Sequence, residues 1–432
     1  MNLQLFSKAP NATYRRESER SEQKEIADKL ESIIQDSRKR IVILFGGCSS
    51  EYSVSLQSAY AVICHLDQKE YLPVLVGITQ SGDWYLYLGE TDRIPEDTWC
   101  GLKTNIPVAV CPNRQASCLM VYTEDGSFMR KIPVDGVFPV LHGRNGEDGT
   151  VQGMFKLAGI PVIGCGVLAS SLCMDKDRAH KLVSETGIRV PKSFVLTDVR
   201  VDYHGVQNED DRIDKIQGYH DLDHSNEAAY KIPFALISNA VYQAESIGYP
   251  LFVKPVKAGS SYGVTKVCKR MELVDAIRLA FQYDDTVIVE ETITGFEVGC
   301  AVMGNDELTV GEVDEIELQS GFFDFTEKYT LKTSAIHVPA RIDENIAERV
   351  KQTARRIYQT LGCRGFARVD MFLTENGEIV FNEVNTIPGF TSHSRFPNMM
   401  KAVGISFEQI LNTVIELGLE TGGREDKMGI AG

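Results

Sequence analysis

The sequence predicts an α/β protein of several domains, and three observations predict it. From residue 41, apolar strand-like runs alternate with amphipathic helical runs. A polar, acidic stretch at 200–232 with no sustained period interrupts that alternation. Near the C-terminal end, GFARVDMFLTENGEIVFNEVN (365–385) reads as a strand hairpin with carboxylates inside apolar runs. Alternating strands and helices indicate a parallel sheet covered by helices. A chain of 432 residues suggests roughly two to four domains.

The elements follow in chain order. Residues 14–40 are charge-dense, and Ile26, Leu30, Ile33 and Ile34 mark a thin stripe at helical spacing. This segment reads as an exposed helical arm, with packing on a partner subunit as the alternative. IVILF (41–45) is a buried strand, GGCSSE a glycine turn and SVSLQSAYAVICHL an amphipathic helix. LPVLVGIT, DGVFPVLHG and IPVIG supply further strands, with TVQGMFKLAG a helix between the last two. Residues 200–232 are an inserted loop. Regular structure resumes with YPLFVKPVKAGSSYGVTKV, a strand–glycine loop–strand, then a helix at 272–282 and the strands of TVIVEETITGFEVGCAVM. Residues 343–361 form a long helix with Ile346, Val350, Ala354 and Ile357 on one face.

Composition excludes some classes of function. Apolar residues make up 43% and charged residues 24%, ordinary for a soluble globular protein. A net charge of −15 and a pI near 5.1 argue against nucleic acid or an anionic membrane as the main partner. A local basic pocket for a phosphate ligand remains compatible with them. No apolar run approaches the roughly 18 residues of a membrane span. The ten cysteines include no C-x-x-C pair and mostly sit in apolar runs, the pattern of reduced thiols in a cytoplasmic protein.

The hairpin carries the chemistry. Asn376-Gly377 between strand-like runs signals a two-residue turn. That turn sets Asp370 opposite Glu383 and Arg368 opposite Asn385. Side chains alternate along a strand, so these four share one face while Val369, Met371, Val380 and Val384 point the other way. Opposed side chains stand about 4.5–5.5 Å apart at Cβ, where like charges repel. Two facing carboxylates in half-buried strands therefore call for a cation. Mg²⁺ suits two carboxylates and an amide oxygen, taking its remaining ligands from substrate phosphates. The alternative is a metal-free ion-pair network of Arg368 with Asp370 and Glu383.

Lys254 ends an apolar strand and KAGSSYG follows. Gly259 and Gly263 allow close backbone approach, and Ser260 and Ser261 add hydroxyls and amide donors, so the loop can cradle phosphate. A tight hairpin is the structural alternative. The loop lacks the G-x-x-x-x-G-K-[ST] spacing of a Walker-type NTPase. IGCGVLAS (163–170) matches G-x-G-x-x-A, but no acidic strand end follows in a βαβ context, which discounts a dinucleotide site. Glu290 and Glu291 end a strand and Glu297 follows. Acids there suit ribose hydroxyls and an adenine amine, or merely charge the strand end.

Together, Lys176, Lys254 with its glycine–serine loop, Glu290, Glu297, Arg368-x-Asp370 and Glu383-x-Asn385 resemble the ATP-grasp nucleotide site. FGGCSSEYSVS, LHGRNGEDGT, DFTEKY and NTIPGFTSHS narrow the resemblance to the D-alanine–D-alanine ligases and their vancomycin-resistance relatives. It runs from about 39 to 420, broken by 200–232. EIELQSGFFDFTEKYTLK and HSRFPNMM resemble most the VanG-type D-alanine–D-serine ligases.

The resemblance implies an α/β ATP-grasp fold of three domains. Residues 39–174 would be the N-terminal parallel α/β sheet domain for substrate, and 175–297 a small central α+β domain holding the insertion. Residues 298–420 would be the catalytic α+β domain with the metal-binding antiparallel hairpin. Residues 1–38 are then an N-terminal extension, a helical arm, and 421–432 a tail. The implied cofactors are ATP and two Mg²⁺ ions, with Mn²⁺ as a substitute.

The resemblance also assigns roles. Lys176, Lys254, Ser260 and Ser261 would contact ATP phosphates, Glu290, Glu291 and Ile293 adenine, and Glu297 the ribose. Asp370, Glu383 and Asn385 would hold the metal. Glu51 would pair with the ammonium of the first D-alanine, with Ser260 and Tyr329 hydrogen-bonded to Glu51 and His142 lining the pocket. Lys328 and Ser394 would hold the carboxylate of the second substrate. The implied reaction forms a D-alanyl phosphate by attack of the first carboxylate on the γ-phosphate, and the second amine then attacks it. Arg368 and the backbone N–H of Gly389 would meet the oxyanion, one such donor being worth about 3–4 kcal/mol. Residues 318–335 would form a lid.

The second substrate rests on fewer residues. Glu327-Lys328-Tyr329 is intact, which the D-lactate-using relatives lack, so an amine is implied. Arg395 follows SHS where ordinary D-alanine ligases carry an apolar residue, and it favours a hydroxyl-bearing substrate such as D-serine. Its alternative is to turn to solvent or pair with an acid. Phe323 and Phe325 stand where many ordinary ligases carry tyrosines. The expected protein is thus a cytoplasmic homodimer that makes D-alanyl-D-serine for peptidoglycan precursors. A D-alanine–D-alanine ligase and a catalytically inactive nucleotide-binding regulatory protein are the alternatives.

Overall fold

The KRIVILFG run of β1 (Lys39–Gly46) is a central, deeply buried strand of the N-terminal part, with Ile41 to Phe45 fully enclosed. Only a strand covered on both faces reads so continuously apolar. The computed structural model describes residues 12–123, 125–197, 234–259, 262–318 and 334–429. Ser260, Ser261, Lys328, Tyr329, the 200–232 insertion and nearly all of the expected lid lie outside the described residues. The chain divides into two compact units, Met1–Val190 with Thr294–Gly432, and Pro191–Ile293.

In the first unit, β1 pairs in parallel with β2 (Tyr71–Ile78) through helix α2 (Tyr52–His65), and with β7 (Gly136–Pro139) on its other edge. The sheet then departs from the all-parallel expectation. Four short strands, β3 (Trp84–Leu86), β4 (Ile106–Val110), β5 (Cys118–Tyr122) and β6 (Phe128–Pro133), extend it as an antiparallel meander in the order β6-β5-β4-β3-β2-β1-β7. Strands of three to six residues are too short for a period to register, and turns rather than helices join them. IPVIG contributes one parallel bridge, Val137 to Val162, rather than a strand.

The N-terminal helix α1 (Ala12–Gln35) does not project as an arm. Leu30 is buried, and Ile26, Ile33 and Ile34 pack on the cluster that contains Val42, Leu44, Val74 and Val76. Lys29 Nζ donates to Leu88 O at 3.1 Å. A narrow apolar stripe suffices because the sheet offers it an apolar face.

Helices α3 (Thr150–Leu157), α4 (Val167–Met174) and α5 (Lys176–Ser184) follow. The second unit holds β8 (Ser193–Thr197), α6 (Phe234–Ile247), β9 (Leu251–Pro255), β10 (Thr265–Val267), α7 (Leu273–Ala280) and β11 (Thr286–Glu291). Its sheet runs β10-β9-β11-β8, all antiparallel, over a core that includes Val253, Val287, Val289 and Ile277.

The first unit's second sheet is antiparallel throughout, in the order β14-β13-β12-β15-β16. Its strands are β12 (Gly295–Gly304), β13 (Leu308–Leu318), β14 (Ser334–His337), β15 (Phe366–Thr374) and β16 (Ile379–Asn385). Helix α8 (Glu344–Thr360) starts where the Asp343 side chain accepts from Asn345 N. It buries Val350, Ala354 and Ile357 against Val298, Val369 and Met371. Helices α9 (Arg395–Ala402) and α10 (Phe407–Gly429) complete the chain. Among the described residues no single helix is long and apolar enough to cross a membrane.

Leu30→Ala should lower stability by about 2–5 kcal/mol, the range for a buried leucine. Urea denaturation reads it, and an unchanged midpoint would show that the helix is not docked.

Candidate active site

The β15–β16 hairpin places Asp370 opposite Glu383 and Arg368 opposite Asn385. That is the expected pairing, reached by a different route. The turn is not two residues. Thr374 N donates to Glu378 O at 3.0 Å and Gly377 N to Thr374 O at 2.9 Å, which leaves a three-residue loop with Gly377 left-handed at φ 77°. That shifts the register by one. A bulge in β16 at Asn382 shifts it back before Glu383 is reached. The bulged Asn382 carbonyl is not orphaned, because it lies 2.7 Å from His180 Nε2.

The acids form a row across the sheet. Asp314 on β13 faces Gly299 on β12, Gly299 faces Asp370 on β15, and Asp370 faces Glu383 on β16. Asp314 and Asp370 are almost wholly buried. Each acid meets a cation. Arg368 donates Nε to Asp370 Oδ1 at 2.8 Å and Nη2 to Oδ2 at 2.8 Å. Asn385 Nδ2 adds a bond to Asp370 Oδ2 at 2.8 Å. Lys176, the first residue of α5, lies 3.5 Å from Glu383 Oε2. The pairing of Arg368 with Asp370 that the sequence left open is therefore present, while Glu383 faces a lysine.

Arg395 opens α9 and is buried. Its Nε and Nη2 donate to Asp314 at 2.7 and 2.8 Å, and its Nη1 donates to Glu297 Oε1 at 2.8 Å and stands 3.4 Å from Asp370 Oδ1. Pairing with acids, the alternative to a substrate contact, is thus realised. Gly299 is the socket: a Cβ there would run into Arg395 Nη2 and stand 2.6 Å from Asp314 Oδ1. Burial alone would lower the guanidinium's pKa, but Asp314 and Asp370 outweigh it and push it up. The same balance holds for Arg368 beside Asp370. Among the described residues, Asp314, Asp370, Glu297 and Glu383 set four carboxylates against the three cations Lys176, Arg368 and Arg395, a balance compatible with a bound metal ion. Two carboxylates and an amide, all oxygen-bearing, match the preference of Mg²⁺.

The loop after β16 is fastened to the N-terminal sheet. His142 lies past the end of β7, with Nδ1 2.9 Å from Ile387 O and Nε2 2.9 Å from Ser58 Oγ on α2. Burial lowers its pKa and keeps it neutral. Glu147 accepts from Gly143 N and from Ile387 N, both at 2.9 Å. Burial, and then the charge of Glu51, pushes Glu147 up to about 8. Glu51 immediately precedes α2 and is buried, its side chain making no capping bond to the helix. Gly143, left-handed at φ 74°, leaves room for it, since a Cβ there would meet Glu51 Oε2. Phe390 fixes the loop further, its ring 5.5 Å from Phe396 and 5.2 Å from Phe366. Gly389 is bare because a Cβ would stand 2.8 Å from Ser394 Oγ, the hydroxyl that caps Thr391 N at 3.0 Å.

In the second unit, Lys254 Nζ pairs with the buried Glu290 at 2.6 Å. Glu291 accepts from Lys192 N at 2.9 Å, and Ile293 follows β11 in a connection. Gly263 is left-handed at φ 68°, and a Cβ there would stand 2.6 Å from the Tyr283 ring. Its bareness serves packing at this turn.

The first unit therefore brings together Arg368, Asp370, Glu383, Asn385, Lys176, Glu297 and Arg395. It places Glu51, His142, Gly389 and Ser394 on the neighbouring loops. Three members were not singled out from sequence: Asp314, Glu147 and Ser58. Asp314 lies in VDEIEL beside other acids, and only its position across from Gly299 distinguishes it. Glu147 lies in LHGRNGEDGT, where two acids adjoin and nothing local says which turns inward.

Comparison with known proteins agrees with this geometry. The D-ala D-ala ligase N-terminus family matches residues 40–165 and the D-ala D-ala ligase C-terminus family residues 235–416. The vancomycin C-type resistance protein of Enterococcus casseliflavus is 39% identical over 385 residues, covering 88% of this chain and 99% of that protein. A D-alanine–D-alanine ligase of Caldicellulosiruptor bescii is 38% identical, covering 89% and 96%. Among solved structures, the VanG D-Ala:D-Ser ligase of Enterococcus faecalis is 53% identical with a TM-score of 0.74, covering 88% of this chain and 99% of that one. The acid row, the fold and these similarities converge: the chain belongs to the D-alanine–D-alanine ligase family of ATP-dependent, peptide-bond-forming ligases.

Proposed function

We propose that this chain joins D-alanine to D-serine through a D-alanyl phosphate intermediate, for peptidoglycan precursors that end in D-serine. The observation that carries this reading is the likeness to a D-Ala:D-Ser ligase, 53% identical over 88% of this chain. The alternative product is D-alanyl-D-alanine, in keeping with relatives of that name.

The residues divide the work. Glu51 meets the ammonium of the first D-alanine, and neutral His142 shapes the pocket floor. Arg368 and the Gly389 N–H stabilise the oxyanion as the second amine attacks. Ser394, with Lys328, receives the second carboxylate. Lys254, Ser260, Ser261, Glu290, Glu291, Ile293 and Glu297 serve the nucleotide, and Lys176 its phosphates. Asp370, Glu383 and Asn385 hold Mg²⁺, two ions in this reading, which when bound neutralises phosphate oxygens.

With ATP, Mg²⁺, D-alanine and D-serine at equal concentrations, mass analysis should find D-alanyl-D-serine in excess. Arg395→Met should lower stability by about 3–5 kcal/mol in urea denaturation, because it leaves the buried Asp314 uncompensated. Dominant D-alanyl-D-alanine from the unaltered protein would refute the D-serine assignment. Asp370→Asn should reduce ADP release to background, and near-normal turnover in that variant would refute the metal role.

Glu147 gives a prediction about pH. Its folded value of about 8 lies above that of an unfolded glutamate, so the folded chain holds a proton that the unfolded one releases. Stability should therefore fall as pH rises from about 4.5 to about 8. Glu147→Gln should flatten that decline in denaturant unfolding at pH 5, 6.5 and 8. Parallel curves for the two proteins would show that Glu147 is not the group responsible.

A further inference from the structure

A second cavity lies away from the acid row, behind the hairpin. It is an open cleft of about 300 Å³ between α8, the turn after α5 and the start of β16, with Arg349 and Arg356 exposed. That volume is at the lower end of the ~300–1,000 Å³ usual for small-molecule sites. Three arginines line it, Arg189, Arg349 and Arg356, with Glu378 the acid among the lining residues. On a chain with a net charge of −15, this is a local reversal of sign.

The arginines are placed by different elements. Arg349 and Arg356 stand seven residues apart on α8, two turns along one face. Arg356 Nη2 donates to Thr186 O at 2.7 Å, which orients its fork. Arg189 pairs with Glu378 across the cavity. Arg349 has no carboxylate partner among the described residues, and its Nη1 reaches toward the Gly377 turn. Two positive charges are therefore left over after the acid is counted. Guanidinium forks bind phosphate oxygens in pairs, which a scatter of surface lysines does not do.

The cavity also touches the catalytic strand. Phe381 N donates to Arg189 O at 2.9 Å, and Arg189 bridges Val380, just before the bulge at Asn382. A ligand that draws Arg189 from Glu378 acts on the strand that carries Glu383 and Asn385.

We propose that this cavity binds a small phosphate-bearing anion, at a site separate from the residues assigned to the nucleotide. The test uses the full chain with saturating Mg²⁺ and a non-hydrolysable ATP analogue, so that the nucleotide positions are filled. Inorganic phosphate and glycerol 3-phosphate are titrated separately by calorimetry. One equivalent should bind, and Arg349→Gln should weaken it by about tenfold or more, the loss expected for a charged hydrogen-bond donor. Arg349→Lys should recover part of the affinity, and affinity for the ATP analogue should be unchanged in both variants. Binding of both probes supports free phosphate as occupant, and binding of the ester alone supports a larger phosphate ester. No binding of either in the millimolar range, or binding that Arg349→Gln leaves unaltered, overturns the proposal.

Discussion

Carboxylates buried side by side in a sheet must be neutralised, and the centre of this protein is arranged around that requirement. Asp314, Asp370 and Glu383 stand in one cross-strand row, interrupted by Gly299. An isolated buried charge is costly unless it is paired and hydrogen-bonded. Arg368, Arg395 and Lys176 reach the row from three elements: the hairpin itself, the start of α9 and the start of α5. The positions of those helices are thus tied to the acids they serve. Among the described residues the carboxylates of this arrangement outnumber its cations by one.

The loop between β16 and α9 joins this row to the N-terminal sheet. It is held at Ile387 by both His142 and Glu147, and at Phe390 by an aromatic cluster and by the Phe390 N–H, which donates to Ser58 Oγ at 3.3 Å. Gly389 and Ser394 lie within that clamp. A loop fixed at several points keeps its amide groups in place without help from ligand, which is the condition for preorganised stabilisation of an oxyanion. The strained-looking proximity of Glu147 to Glu51 has a place here too. Burial and the charge of Glu51 push Glu147 up, and a proton on Glu147 relieves the repulsion between the two carboxylates.

Much of this was legible in the sequence, for reasons that differ by element. β1, α2 and α8 carry unbroken apolar or 3.6-residue patterns and lie where those patterns put them. The β3–β6 meander was not legible, because its strands are too short to show a period. The pairing of Asp370 with Glu383 was read correctly through two offsets that cancel, a three-residue turn and a one-residue bulge. Neither offset has a local signature strong enough to detect alone. Asp314 and Glu147 stayed hidden because their roles come from contacts 81 residues away in one case and 240 in the other. The docked helix α1 was misjudged for a related reason: the sequence shows its stripe but not the sheet face that receives it.

The pairing of Arg395 with Asp314 makes position 395 a matter of stability. Removing one partner of a buried ion pair typically costs about 3–5 kcal/mol, because the other charge is left uncompensated. Arg395 answers Asp314 and Glu297 at once, and the bare Gly299 makes the space in which it does so. Altering Arg395 alone would strand Asp314, which is fully buried. An apolar residue at 395 becomes tolerable only when position 314 loses its charge as well, and the space over Gly299 then has to be filled. Three positions on three separate elements must therefore change together. The arginine is retained by the fold before any substrate arrives.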